Sequence, residues 1–162
     1  MSTSAVSTDT DVITSEIFIA APPERIFQAL TDPAQVPQWW GQGGMYRTTF
    51  WEGEVRPGGK WRQKGNNATG EPFQVTGEYS VVELPRRLSH TWQASWTGEL
   101  TTQVDWMLEA ATEGDRTGTL VRLRHTGFAG SGAAEAHDQG WKRVFAWMRD
   151  YVERGETMDT RS

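Results

Sequence analysis

The sequence predicts an α+β fold in which a curved antiparallel β-sheet surrounds a long C-terminal helix, with two short helices after the first strand. Most of the chain consists of short segments in which apolar and polar residues alternate, separated by turn-forming residues. Near the C-terminus the hydrophobic period changes to that of an amphipathic helix, long enough to cover one face of the sheet.

The first strand and the two short helices are predicted from a change of period near residue 20. Residues 11–19 alternate as a strand does, and the segment 21–24 then begins a helix, because proline is tolerated in a first turn. A second short helix begins at Asp32-Pro33, and the region ends at Gly41. The buried stripe of the first helix is predicted to contain Ile26, Phe27 and Leu30.

An antiparallel meander is predicted from Met45 onward, where turn signals separate the alternating segments. The turns are expected near residues 56–59, 66–67, 70–72, 84–85, 96–98 and 113–115. The apolar face is predicted to contain Phe73, Val75, Gly77, Tyr79, Val81, Leu88, His90, Trp92, Ala94, Trp96, Val104, Trp106 and Leu108. The opposite positions are mostly polar, so that side is expected to face water.

The C-terminal helix is predicted over residues 133–154 and ends at Gly155. Its apolar stripe comprises Trp141, Val144, Phe145, Met148, Tyr151 and Val152. Trp147 lies off this stripe, which predicts an exposed ring and suggests a homodimer surface. We expect a disordered tail over residues 1–10, one domain over 11–155 and a polar tail over 156–162.

Composition excludes several classes of protein. The net charge is -5, which argues against a nucleic-acid partner, because binding to phosphates depends on lysine and arginine. The sequence contains no cysteine and no apolar run long enough to span a bilayer, so we expect neither disulfides nor a membrane span. The N-terminus lacks the features of a secretory signal, and a cytoplasmic location is therefore the expectation.

Several short segments, in order along the chain, resemble a known family. They are Ala21-Pro22-Pro23-Glu24-Arg25-Ile26-Phe27, Trp39-Trp40-Gly41, Arg56-Pro57-Gly58-Gly59-Lys60-Trp61, Gly77-Glu78-Tyr79, Pro85-Arg86-Arg87-Leu88, His90-Thr91-Trp92, Leu123-Arg124-His125-Thr126-Gly127-Phe128 and His137-Asp138-Gln139-Gly140-Trp141. The set resembles the Activator of Hsp90 ATPase homologue 1-like branch of the START/Bet v 1-like (SRPBCC) superfamily. The resemblance implies a helix-grip fold with a cavity that holds an apolar small molecule in many relatives. Other branches include lipid carriers and polyketide cyclases, so it does not select one function.

The aromatic content points to an apolar cavity, because nine tryptophans exceed what a core of this size needs. The alternative is that the rings simply fill the space between sheet and helix. The candidate ligand-binding residues are Trp39, Trp40, Trp61, Tyr79, Trp92, Trp106, Phe128, Trp141 and Phe145.

Catalytic candidates are few. His90 lies on the apolar face of its predicted strand and is the best candidate for a general base, although such a histidine is more often a core residue. His125 and His137 are expected to bond nearby backbone instead. Their spacing does not suit a metal, and no serine lies in a nucleophile-elbow context, so we expect no metal and no cofactor.

Three functions are therefore compatible with the sequence. The first is a carrier or sensor that binds an aromatic or acyl-chain molecule without clear catalysis. The second is a cyclase-like or dehydratase-like enzyme that acts on such a molecule with His90 as its base. The third is a protein-interaction module similar to a co-chaperone.

Overall fold

The structure, a computed structural model, describes residues 2–7, 12–128 and 133–160, with only the backbone described for 2–7. The elements in chain order are β1 (Ser2–Ser7), β2 (Val12–Ile19), α1 (Pro23–Thr31), α2 (Val36–Trp39), β3 (Gly41–Gln42), β4 (Tyr46–Gly53), β5 (Lys60–Asn67), β6 (Pro72–Glu83), β7 (Arg87–Ala94), β8 (Thr102–Glu113), β9 (Arg116–Thr126) and α3 (Ala134–Arg154). A 3₁₀ turn at Ser95–Thr97 follows β7.

The strands described form one antiparallel sheet in the order β1-β2-β9-β8-β7-β6-β5-β4-β3. Most neighbours in this order are also neighbours in sequence, as in a meander, whereas β2 pairs with β9 and brings the two ends of the chain together. The sheet curls around α3, which confirms the predicted α+β helix-grip architecture.

The short helices close one end of the sheet. Ile26, Phe27 and Leu30 of α1 are buried, as their spacing predicts. Trp39 of α2 is fully buried, and its indole Nε1 donates a hydrogen bond of 2.9 Å to the carbonyl oxygen of Ala29. This bond satisfies the only polar atom of the Trp39 side chain and ties α2 to α1.

Helix α3 buries the predicted stripe, with Val152 only partly buried. Gly155 ends the helix with a left-handed φ of 73°, a conformation that glycine adopts without steric cost. The expectation of an exposed Trp147 is wrong, because the side chain is buried and donates to Gln42 Oε1 at 3.1 Å. Among the described residues, no helix is long and apolar enough to cross a bilayer.

A bulge in β6 corrects the predicted face of that strand. Tyr79 pairs with His90, but the next pair is Val81 with Ser89, so Ser80 is an extra residue. The extra residue reverses the alternation, and Val82 rather than Val81 packs against the core. The bulge leaves Tyr79 and His90 side by side on the inner face, with ring centroids 5.8 Å apart.

Both predicted tails contain structure. Ser2–Ser7 pair with β2, so the expectation of disorder is wrong there, whereas residues 1 and 8–11 lie outside the described residues. At the other end, Met158 is buried and its backbone N–H donates to the Gln38 carbonyl at 2.8 Å. Asp159 also forms an ion pair with Arg47. The segment after α3 therefore packs against α2 and β4, and residues 161–162 lie outside the described residues.

Candidate ligand-binding site

A pocket of about 630 Å³ opens between the sheet and the first half of α3. Its volume lies within the range usual for small-molecule sites. The wall is formed by Trp40, Tyr46, Gln63, Asn67, Glu71, Pro72, Phe73, Val75, Trp92, Ser95, Trp96, Ala136, His137, Gly140, Trp141, Arg143 and Val144. Apolar and aromatic side chains dominate this set, so the pocket suits an apolar ligand.

Three of the candidate ligand-binding residues, Trp40, Trp92 and Trp141, line this pocket. The same three rings separate it from a smaller cavity of about 20 Å³, which Trp61, Tyr79 and Trp106 also line. The remaining candidates line neither cavity and are buried in the core, namely Trp39, Phe128 and Phe145.

An aromatic rim borders the mouth of the pocket. Phe73 contacts Tyr46 edge to face with ring centroids 5.5 Å apart, and Trp96 edge to face at 5.9 Å. The other neighbour of Trp96 is His137, on which it stacks at 6.0 Å. Trp96 remains 57 % exposed, although its alternation predicts an inward ring, because the chain leaves the sheet after Ala94. An exposed aromatic surface at an apolar opening is available to a ligand.

Gly140 keeps the helical wall of the pocket open. It lies inside α3, where glycine is about 1 kcal/mol less favourable than alanine. A Cβ built at this position meets no atom within 4 Å, so packing does not require glycine here. Its effect is to leave space beside Trp141 and His137, which the sequence analysis did not identify.

Two histidines lie in a hydrogen-bonded seam behind the pocket. Trp141 Nε1 donates to His125 Nδ1 at 3.0 Å, and His125 Nε2 contacts the Thr102 hydroxyl oxygen at 2.6 Å. Trp92 Nε1 donates to His137 Nε2 at 3.3 Å, and His137 Nδ1 contacts the Ala133 carbonyl at 3.0 Å. Each ring therefore has one nitrogen that accepts and one that donates, which assigns both as neutral imidazoles.

The surroundings of the seam disfavour a charge on either ring. Burial, together with the positive charges that nearby His137 and His90 would carry, lowers the pKa of His125 to about 2. Burial also lowers the pKa of His137. The histidine side of the pocket is therefore uncharged near neutral pH, which agrees with the apolar character of the wall.

His90 does not border the larger pocket. It lines the 20 Å³ cavity together with Gln63 and Tyr79, a space that holds about one water molecule. Its Nδ1 lies 2.8 Å from the Thr91 carbonyl oxygen, and Nε2 has no hydrogen-bond partner among the described residues. Burial lowers the pKa of His90 to about 4. The ring is thus a neutral group that lines the smaller cavity and not the larger pocket.

Other catalytic devices are scarce in the described part of the chain. There, no three histidine, aspartate or glutamate side chains are grouped so that they could hold a metal ion. Ser89 is buried without a hydrogen-bond partner for its hydroxyl, on the face of β7 opposite His90. Ser131, a further serine of the sequence, lies outside the described residues.

A family model described as "Activator of Hsp90 ATPase homolog 1-like protein" matches residues 20–153 of the chain. The match begins before α1 and ends within the last turn of α3, so it includes both walls of the pocket. No curated protein matches the chain.

Solved structures from several bacteria share the fold. A protein from Rhodobacter sphaeroides is 24 % identical with a TM-score of 0.80, and the match covers 96 % of this chain and 100 % of that one. An AHSA1-like protein from Aeromonas hydrophila is 25 % identical with a TM-score of 0.73, covering 89 % and 93 % of the two chains. A protein from Arthrobacter aurescens is 17 % identical with a TM-score of 0.78, covering 93 % and 91 %.

Proposed function

This chain belongs to the Activator of Hsp90 ATPase homolog 1-like family, and from that premise we propose that it binds an apolar small molecule, aromatic or acyl-chain, as a carrier or sensor. The observation that carries the proposal is the pocket of about 630 Å³ between the sheet and α3, with Trp40, Trp92 and Trp141 on its wall. A core that only needed to be filled would not leave this volume between indole rings.

The energetics of the pocket favour such a ligand. Each Å² of apolar ligand surface removed from water contributes roughly 25 cal/mol, and indoles offer large, rigid contact areas. The polar atoms of the seam are already paired within the protein, since Trp92 Nε1 and Trp141 Nε1 both donate to histidines. A ligand that covers these rings therefore leaves no indole N–H without a partner.

Gly140 supports the same proposal. A helix that served only to cover the sheet would be more stable with alanine at this position, and the space for a Cβ is present. The glycine instead preserves pocket volume, as expected where binding rather than packing is the function of the wall.

Binding without catalysis is favoured over the enzymatic alternative by the position of His90. A general base has to reach the proton that it removes, directly or through one water. His90 lines the smaller cavity and not the larger pocket, and Trp92 is on the wall of both. We therefore propose a carrier or sensor and assign no catalytic residue.

The proposal can be tested by placing a bulky side chain in the pocket and measuring whether an apolar dye still binds. N-phenyl-1-naphthylamine, an uncharged dye whose fluorescence rises in apolar surroundings, is titrated into the wild type and into Gly140→Phe. Helical side chains lean towards the helix N-terminus, so the new ring would lie over Ala136 and His137 on the pocket wall. We expect the affinity to fall by at least about tenfold, a loss of roughly 1.4 kcal/mol.

The matched control is Gln139→Phe, which adds the same ring to the same helical turn but outside the pocket. It should bind the dye like the wild type. Urea midpoints of both variants verify that they fold. If the wild type gives no saturable dye binding, or if Gly140→Phe binds as well as Gln139→Phe, the pocket is not the binding site and the proposal is wrong.

A further inference from the structure

We propose that the ligand of this pocket carries a carboxylate, which Arg143 and the hydroxyl of Tyr46 bind at the mouth while the apolar part lies against the indoles. The inference rests on the proposed function and names its ligand class as apolar carboxylic acids. It is carried by a cation without an ion-pair partner among the described residues, and by a hydroxyl whose proton has no acceptor there, both on the wall of the same pocket.

Arg143 lies on the pocket wall and is exposed, one helical turn before Trp147. Within the described residues, no carboxylate lies within ion-pair distance of its guanidinium, and no aromatic ring lies beneath it. Its neighbours differ: Lys142 pairs with Asp138 at 3.6 Å, and Arg149 with Asp150 at 3.7 Å. The planar guanidinium suits a carboxylate, which it can bind through two parallel hydrogen bonds.

Tyr46 supplies the second group. Its hydroxyl oxygen accepts a hydrogen bond of 3.2 Å from Trp40 Nε1, which leaves the hydroxyl proton without an acceptor among the described residues. Burial raises the pKa of Tyr46 to about 12, so the hydroxyl is protonated near neutral pH and can donate. Tyr46 and Arg143 line the same pocket, and the Tyr46 ring packs edge to face on Trp147, one helical turn after Arg143, with ring centroids 5.5 Å apart.

The remaining polar groups on the pocket wall indicate that an anion would bind near Arg143 rather than on the sheet side of the pocket. Glu71 is the carboxylate on the wall, and it follows β5 on the sheet side of the pocket, where it would repel a second negative charge. His137 is neutral within the seam. A carboxylate is therefore attracted to the helical side of the mouth, near Arg143.

Two ligands that differ only in charge test the inference. We would measure how 2-naphthoate and its uncharged analogue 2-naphthamide displace N-phenyl-1-naphthylamine from the wild type. The naphthalene ring provides the same apolar contact in both, so the ratio of their affinities isolates the carboxylate. We expect naphthoate to bind about tenfold more tightly, a ratio typical of one charge-assisted contact at a partly exposed site.

The variant Arg143→Gln should reduce that ratio to about one, because the glutamine amide keeps hydrogen-bonding groups at this position but carries no positive charge. Arg124→Gln is the matched control: it removes the same charge from an exposed position of β9 outside the pocket and should keep the wild-type ratio. Tyr46→Phe keeps the ring contacts and should lower the ratio in part.

The outcomes separate the inference from the proposed function. If both naphthalenes displace the dye with equal affinity from the wild type, the carboxylate inference is overturned while binding of apolar molecules stands. A preference that survives in Arg143→Gln likewise overturns the inference, since the anion must then be bound elsewhere. If the dye itself fails to bind the wild type, both proposals fail together.

Discussion

The two halves of α3 lie against the same sheet, yet one half is closely packed and the other faces a pocket. The C-terminal half buries Phe145, Met148 and Tyr151; Phe145 stacks on Trp106 of β8, and the Tyr151 hydroxyl donates to Gln35, the residue before α2. The N-terminal half presents Ala136, His137 and Gly140 to the pocket. Both halves belong to one continuous helix, so its backbone is the same in each. What differs is the size of the side chains that face the sheet, which are small at Ala136 and Gly140.

The sheet also has a closely packed end, which we call the closed end, and an end that lines the pocket, which we call the open end. At the closed end, Ile13 and Ile17 of β2 and Trp39 of α2 are fully buried in one hydrophobic core. At the open end, β5 and β6 present Gln63 and Val75, and the 3₁₀ turn presents Ser95. The comparison predicts that truncating a core side chain at the closed end costs more stability than truncating an exposed side chain at the open end, such as Trp96.

The largest expected change in the free energy of unfolding is for a substitution at the closed end. Trp39→Ala removes a fully buried indole and leaves the Ala29 carbonyl without its partner, so we expect a loss of about 3–5 kcal/mol in the free energy of unfolding. Trp96→Ala, at the open end, should change it by less than about 0.5 kcal/mol. Urea unfolding followed by far-UV circular dichroism measures both, and similar losses in the two variants would contradict the division.

A smaller effect is expected in the seam between the two ends, where the histidines are held neutral. The pKa of His125 falls from 6.5 in the unfolded chain to about 2, and that of His90 to about 4. The unfolded state therefore binds more protons at acid pH. Stability is fully present above pH 6.5 and is lost as the pH falls from there towards the folded-state values, by about 1.4 kcal/mol per pH unit for each histidine.

Urea unfolding at several pH values between 7.5 and 5 measures this loss. The His125→Gln variant lacks one titrating group. The free energy of unfolding of this variant should therefore depend less steeply on pH than that of the wild type, even if the variant is less stable at every pH. Equal slopes in the two proteins would show that His125 is not held neutral in the folded state.

The smallest effect is expected at Gly140. Gly140→Ala reduces the conformational freedom of the unfolded chain and places a methyl group in open space, so we expect a gain of about 0.5–1 kcal/mol in stability. The midpoint of urea unfolding measures it. A loss of stability would mean that the glycine is needed for packing, which would remove one argument for the pocket.

The fold is predicted well from the sequence because each helix and strand is defined by a pattern of residues that are close together in the chain. Alternation defines the strands, and the stripe of α3 requires only the spacing of residues such as Phe145 and Met148. The bulge at Ser80 has no comparable signal, since it depends on how β6 and β7 pair. Trp147 was predicted on the wrong side because its partner Gln42 lies far away in sequence.

The site is less predictable than the fold for the same reason. Trp40, Trp92 and Trp141 were proposed as ligand residues because they are aromatic, and the structure places them on one pocket. The same argument also selected Trp39, which lies in the core with no space beside it. Neither Arg143 nor Gly140 was identified from the sequence. Arg143 is distinguished by having no ion-pair partner among the described residues, and Gly140 by the open space beside it, and residue spacing reveals neither property.

Six tryptophans, five of them on the walls of the two cavities and the sixth, Trp39, in the adjoining core, lie close enough together to exchange excitation energy. Trp39 and Trp40 lie 5.0 Å apart between ring centroids, Trp40 and Trp141 6.0 Å, and Trp141 and Trp92 5.2 Å. Trp61 and Trp106 join the same cluster at 5.8 and 5.6 Å. Excitation absorbed by any of these indoles migrates to its neighbours at such separations. A quencher bound against one ring of the pocket would therefore reduce the fluorescence of the whole cluster, so intrinsic fluorescence would measure binding at the proposed site without an added label.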